Sequence, residues 1–211
     1  VLLLTCNCSS FAFAGSNTST VNTVKNIKQL VKSAEQQREL YGEVSEKTLG
    51  QLQDNLSLLG ISTGSYGGTH IIKTSEEIST RGYGETHDLG QGWSYRVDKP
   101  SAEDAKPHVH VDNKKLGVHG VENVDGTSSH KKTLDGEGVP KSIQKKVKSS
   151  SDYQKGQKDL KKMQEAKAEI KHKGLDMNKW SDVLIAAGIF VAIVGVAFFA
   201  PEALPAALLA I

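Results

Sequence analysis

Six of the seven histidines fall between His70 and His130, and two of them, His108 and His110, are separated by a single residue. On an extended strand that spacing puts both imidazoles on one side, where they could share a metal ion or flank a scissile phosphate. His119, His130, Asp98 and Asp112 lie close enough in sequence to complete such a site. For phosphodiester hydrolysis, one histidine would act as general base and another as general acid, and Arg96 or Lys141 would offset the charge developing on phosphate. The candidate catalytic set is therefore His108, His110, Arg96 and His130. Surface or structural histidines, and metal binding, are the competing readings. No H-E-x-x-H framework is present, and the sequence implies no cofactor.

The elements that would position these residues follow from periodicity. Trp93 to Asp98 alternates apolar and polar with period two, placing Trp93, Tyr95 and Val97 on one face and Ser94, Arg96 and Asp98 on the other. His108-Val109-His110-Val111 and Leu116-Gly117-Val118-His119-Gly120-Val121 supply two further short strands of a meander. So small a sheet needs a cover. The nearest candidates are a helix opened by Pro140 and running through Ile143 and Val147, and a longer one capped at Ser151-Asp152. Tyr153, Leu160, Met163, Ala166 and Ile170 form the apolar stripe of the second. From Lys141 to Lys173 there are eleven lysines against four acidic residues. This is either a solvated face or an attraction for anionic lipid or nucleic acid phosphate.

Upstream, apolar residues from Val24 to Leu59 recur every three or four positions, as in a helical pair broken near Gly42 or Gly50. Gly60 to Gly92 holds eight glycines and reads as loop, without a phosphate-cradling motif. At the amino end, Val1 to Cys6 leads into Phe11-Ala12-Phe13-Ala14, an apolar run ending in an A-x-A pattern, as secretory signals end. Val1 in first place and the lack of a basic flank make it a signal remnant; a buried strand and a lipoprotein signal are the alternatives. Cleavage after Ala14 would remove Cys6 and Cys8, which excludes disulfides, thiol catalysis and Cys-ligated zinc from the mature chain.

The carboxyl end gives the strongest single signal. Val183 to Ala200 is eighteen residues without a charge, about 27 Å as a helix against a hydrocarbon layer of roughly 30 Å. Lys179 and Trp180 precede it as an interfacial boundary, and Pro201 ends it. Ala203 to Ile211 could return as the arm of a hairpin. The membrane-inserting candidates are Trp180, Val183, Ile185, Phe190, Val194 and Phe198. A buried hairpin inside a soluble core is the alternative.

Composition fits this division. Aromatic residues are 6% of the 211 residues and hydrophobic ones 37%, concentrated at the two ends, so a uniformly packed enzyme is not indicated. The net charge of +2 conceals 9 basic and 12 acidic residues in 1–104 against 17 and 12 in 105–211. The expected organisation is a signal remnant (1–14), a helical segment (15–60), a Gly-rich linker (61–91), a small α+β domain (92–148), a Lys-rich helix (149–178) and a hydrophobic membrane segment (179–211). The expected fold class is α+β, with N-terminal helices, a small three-stranded antiparallel sheet with basic helices, and a C-terminal hydrophobic transmembrane helix or hairpin.

Trp93-Ser94-Tyr95-Arg96-Val97-Asp98, Pro107-His108-Val109-His110-Val111, Asp125-Gly126-Thr127, His130 and Val139-Pro140-Lys141-Ser142-Ile143 together resemble the small carboxy-terminal domains of bacterial polymorphic secreted toxins. The resemblance covers residues 92–148 and implies an exported, bacteriocin-like toxin with an immunity protein as partner. The apolar tail departs from the family pattern and favours a membrane target. Three functions follow as expectations for a secreted or membrane-associated chain. The first is a non-enzymatic antibacterial toxin precursor, in which residues 15–178 carry and mask a tail that inserts into and permeabilises a target lipid membrane. The second is an exported nuclease-type toxin that acts through His108 and His110 on nucleic acid. The third is a membrane-anchored surface protein without toxicity.

Overall fold

The computed structural model describes residues 18–63, 82–101 and 104–211. The signal remnant, Cys6, Cys8, His70 and most of the Gly-rich stretch lie outside the described residues. Helix α1 spans Thr18–Tyr41 and buries Thr23, Ile27, Val31 and Ala34, a stripe at helical spacing. It ends at Gly42, whose φ of 76° is the left-handed conformation that glycine adopts without strain. Ser45 caps α2 (Glu46–Leu58) by accepting from the Thr48 N–H. Gln37 ties the pair together, accepting from the Ser45 N–H at 2.7 Å and donating to Thr48 Oγ1 at 2.9 Å.

Four strands form an antiparallel meander in the order β1-β2-β3-β4: His87–Gly90, Trp93–Asp98, His108–Asn113 and Val118–Asn123. The expected sheet had three. The added strand, β1, lies in the stretch read as linker, where His87-Asp88-Leu89-Gly90 carries no β-branched residue and a tight Gln91-Gly92 turn follows. One face of the sheet presents Trp93, Tyr95, Val97, Val109 and Val111 to a core completed by Val124, Leu134, Val139, Ile143, Val147, Tyr153 and Leu160. Helices α3 (Lys141–Lys148) and α4 (Ser151–His172) cover that face. Gly156 permits the close approach of α4: a Cβ there would stand 3.0 Å from Val124 and 3.6 Å from Val97.

The second correction concerns the tail. Helix α5 spans Trp180–Val194, fifteen residues, and stops where Gly195 takes a φ of 83°; a short α6 follows at Leu204–Ala210. Among the described residues no helix is long and apolar enough to cross a membrane. The reason is local and tertiary together. The left-handed glycine interrupts the apolar run, and α1, α2 and α4 supply the cover that the run needs. Val183, Ile185, Phe190, Val194 and Phe198 are all buried, whereas Trp180 is 45% exposed. Gly188 faces Ile27 so closely that a Cβ would stand 2.9 Å from its Cγ2. Arg38 donates to the Phe198 carbonyl at 3.1 Å, which fixes the chain beyond α5 to α1.

One side chain sits uneasily there. Burial raises the pKa of Glu35, and the nearby Glu202 carboxylate raises it further. One of its oxygens is buried without a hydrogen-bond partner. The folded state therefore holds this proton more tightly than the unfolded chain does, and stability is lost as pH rises through the raised value. Glu35→Gln is expected to raise the melting temperature at pH 7 and to have no effect near pH 4, checked by thermal unfolding at both. An equal effect at both pH values would exclude the charge as its cause.

Candidate functional site

The polar face of the sheet carries the histidines. In the β2–β3 register Asp98 stands opposite His108 and Arg96 opposite His110, and in β3–β4 Asp112 stands opposite His119. Directly paired residues share a face, so the period-two pattern alone collects these six side chains. Their rings form a row. His130 lies 5.8 Å from His108, His108 lies 5.1 Å from His110, and His110 lies 5.6 Å from His119, centroid to centroid.

His108 occupies the centre and is 8% exposed. Its Nδ1 faces two acceptors, the Lys106 carbonyl at 3.1 Å and Asp104 Oδ2 at 3.5 Å. Two acceptors on that side place a proton on Nδ1. Nε2 looks toward Asp98 Oδ2 at 4.0 Å. The same oxygen accepts from His110 Nε2 at 3.2 Å, and Arg96 Nε donates to Oδ1 at 2.8 Å and Oδ2 at 3.0 Å. Burial on its own would raise the pKa of Asp98, but the hydrogen bonds and charges of His110 and Arg96 prevail and hold it at about 2. Its carboxylate therefore stabilises the fold above the ordinary range near pH ~4, and that contribution disappears as pH falls toward about 2. A carboxyl ¹³C NMR titration should find the Asp98 midpoint well below those of exposed aspartates; coincident midpoints would refute the pairing.

His130 reaches the site from the loop after β4. Its Nε2 lies 3.6 Å from Asp104 Oδ2, and its side chain is 53% exposed. His130 and Lys131 both have positive φ, 51° and 64°. Two successive non-glycine residues in that region are a strained arrangement of the kind that persists when surrounding contacts require it. Ser129 Oγ donates to Asp104 Oδ2 at 2.6 Å and anchors the loop beside His108.

Together Asp98, Asp104, His108, His110 and His130 line an open cleft of about 560 Å³, with Tyr83, Gly84, Lys99 and Ser101 as the remaining wall. Tyr83 is itself held firmly. Its hydroxyl donates to the buried Asp159 at 2.8 Å, and its ring packs edge-on against Phe198.

The four expected catalytic residues are thus gathered on one face, with different stations. His108 and His130 border the cleft. His110 also borders it, but its Nε2 is engaged by Asp98 and its Nδ1 is buried without a partner. Arg96 is outside the cleft lining and is committed to Asp98. Lys141 is not part of the cleft; it pairs with Asp135 at the start of α3, on the side away from the histidines. Asp104, Lys99 and Tyr83 were not singled out from the sequence for chemistry. No local pattern in the sequence pointed to them.

Among the described residues, two overlapping groups have ligand atoms close enough to hold a metal ion: Asp98 with His108 and His110, and Asp104 with His108 and His130. Comparison with protein-family models, with curated proteins and with solved structures gave no match. The chemistry of the site therefore rests on its own geometry.

Asp104 is the residue on which this arrangement turns, since it faces His108, His130 and Ser129 at once. Asp104→Asn would keep the shape and remove the charge. It is expected to move the imidazole ¹H–¹⁵N resonances of both histidines; unchanged resonances would dissociate Asp104 from the site.

Proposed function

We propose that this cleft cleaves phosphodiesters, with RNA as the substrate class, and that the chain is a nuclease-type exported toxin. The observation that carries the reading is His108, buried and tautomerically fixed, with His130 and Lys99 on the same cleft. RNA brings its own nucleophile. His108 Nε2 takes the proton of the 2′-hydroxyl, whose oxygen attacks phosphorus; the P–O5′ bond breaks, and His130 delivers a proton to the leaving 5′-oxygen. The products are a 2′,3′-cyclic phosphate and a 5′-hydroxyl. Asp104 faces His130 and keeps His108 oriented, and Lys99 offsets charge on the phosphoryl oxygens. His110 and Arg96 act one step back, by holding Asp98 in place.

The resemblance of residues 92–148 to secreted toxin domains supports the same reading and adds a partner, an immunity protein that would close the cleft. The apolar carboxy-terminal stretch already finds its cover within the fold. The test is incubation of the full chain with RNA and DNA oligonucleotides of one sequence in EDTA. RNA should yield cyclic phosphate ends while DNA stays intact. Intact RNA, or equal cleavage of both, would refute the proposal.

A further inference from the structure

The Asp98–His108–His110 group has a geometry that cleavage by acid–base transfer does not require. Its three potential donors are Asp98 Oδ2, His108 Nε2 and His110 Nε2. Oδ2 is 3.2 Å from His110 Nε2 and 4.0 Å from His108 Nε2, and the three atoms lie within 4.8 Å of one another. Ligands around a tetrahedral ion at bond lengths of about 2.0–2.1 Å stand roughly 3.3 Å apart, so a small inward shift of His108 would complete the set.

The surroundings are built in the same sense. Metal-bound imidazoles usually donate their other N–H to a carbonyl or carboxylate, and His108 Nδ1 already faces the Lys106 carbonyl and Asp104. Arg96 can keep its 2.8 Å hydrogen bond to Asp98 Oδ1 while Oδ2 turns to an ion. His110 must move its proton from Nε2 to Nδ1. That move exchanges the Nε2 hydrogen bond to Asp98 for a metal bond and leaves a buried N–H on Nδ1 without an acceptor, a cost that the metal bond has to exceed. The alternative group through His130 is less suited. Asp104 Oδ2 already accepts from Ser129 at 2.6 Å, and the Nδ1 that it would use on His108 is the protonated one.

We infer that Asp98, His108 and His110 form a binding site for one divalent transition-metal ion of the zinc type, with open positions toward the cleft. Two imidazoles and one carboxylate suit zinc, cobalt, nickel or ferrous ions over magnesium and calcium, which prefer oxygen ligands throughout. Binding requires the lone pairs of both imidazoles and so competes with protons for them.

The test uses the full, untagged chain stripped with chelator and titrated with Co²⁺, followed by its visible d–d absorption, with Zn²⁺ as competitor. The readout does not depend on turnover, and the two readings separate: an ion on His108 Nε2 occupies the lone pair that cleavage uses as base, so the metal-free chain should cleave RNA and the metal-loaded chain should not. One Co²⁺ per chain should bind, displaced by Zn²⁺ and not by Mg²⁺. His110→Ala should abolish the signal, and Asp104→Asn should weaken binding about 10–100-fold, as loss of a supporting hydrogen bond does. His130→Ala should leave affinity unchanged. Circular dichroism of each variant separates loss of ligand from loss of fold, and Asp98→Asn, which preserves volume, serves if His110→Ala does not fold. Absence of a cobalt spectrum, or loss of binding in His130→Ala with retention in His110→Ala, would overturn the site.

Discussion

Replacing His108 with alanine is expected to reduce RNA cleavage by about 10²–10⁴-fold, the range for removal of a positioned general acid or base. The size of the effect follows from its position. It is 8% exposed on the cleft wall, its Nδ1 faces Lys106 and Asp104, and its Nε2 faces Asp98 Oδ2 at 4.0 Å. His130→Ala should give a loss of the same order with the opposite pH signature. Wild-type rates should follow a bell, the ascending limb reporting deprotonation of the base and the descending limb deprotonation of the acid. The His108 variant should lose the ascending limb and the His130 variant the descending one. Residual activity above a few per cent of wild type in His108→Ala, with the bell intact, would place the base elsewhere.

The second large effect is on stability. Phe190→Ala is expected to destabilise the chain by about 3–5 kcal/mol, as large-to-small changes at buried aromatic positions do. Phe190 is 2% exposed, lies in the helical core, and meets Phe199 edge-on at 5.6 Å. The comparison is Leu209→Ala in the same apolar stretch. Leu209 is 87% exposed, and its loss should change stability by no more than about 0.5 kcal/mol. Urea unfolding of the two variants in aqueous buffer measures both. If they were equally mild, the apolar stretch would not be packed as described.

These two results also mark what local sequence conveys. The alternation Trp93 to Asp98 and the pair His108, His110 announced both strands and the shared face, because period two is a property of neighbouring residues. The first strand escaped since His87-Asp88-Leu89-Gly90 has neither alternation nor branched side chains; it is held by pairing with β2, which is a tertiary fact. The tail was misjudged for a related reason. Hydropathy measures how poorly Val183 to Ala200 suits water, and is silent on what will cover it. The cover comes from the stripes of α1, α2 and α4, separated from α5 by up to about 160 positions, of which the Arg38–Phe198 contact is an example. The site shows the same division. His108 and His110 were legible on their strand, whereas Asp104, Lys99 and Tyr83 arrive from loops, where no period governs which side chain turns inward.

Helix α4 contributes Tyr153 and Leu160 to the packing beneath the sheet, and Met163, Ala166 and Ile170 to the bundle around α5. Its 22 residues extend about 33 Å, so a single rod is common property of both halves. Fraying it in either place strips apolar cover from the other, and the two halves should melt in one cooperative transition. The histidine row thereby shares the fate of a greasy helix in the other half of the fold.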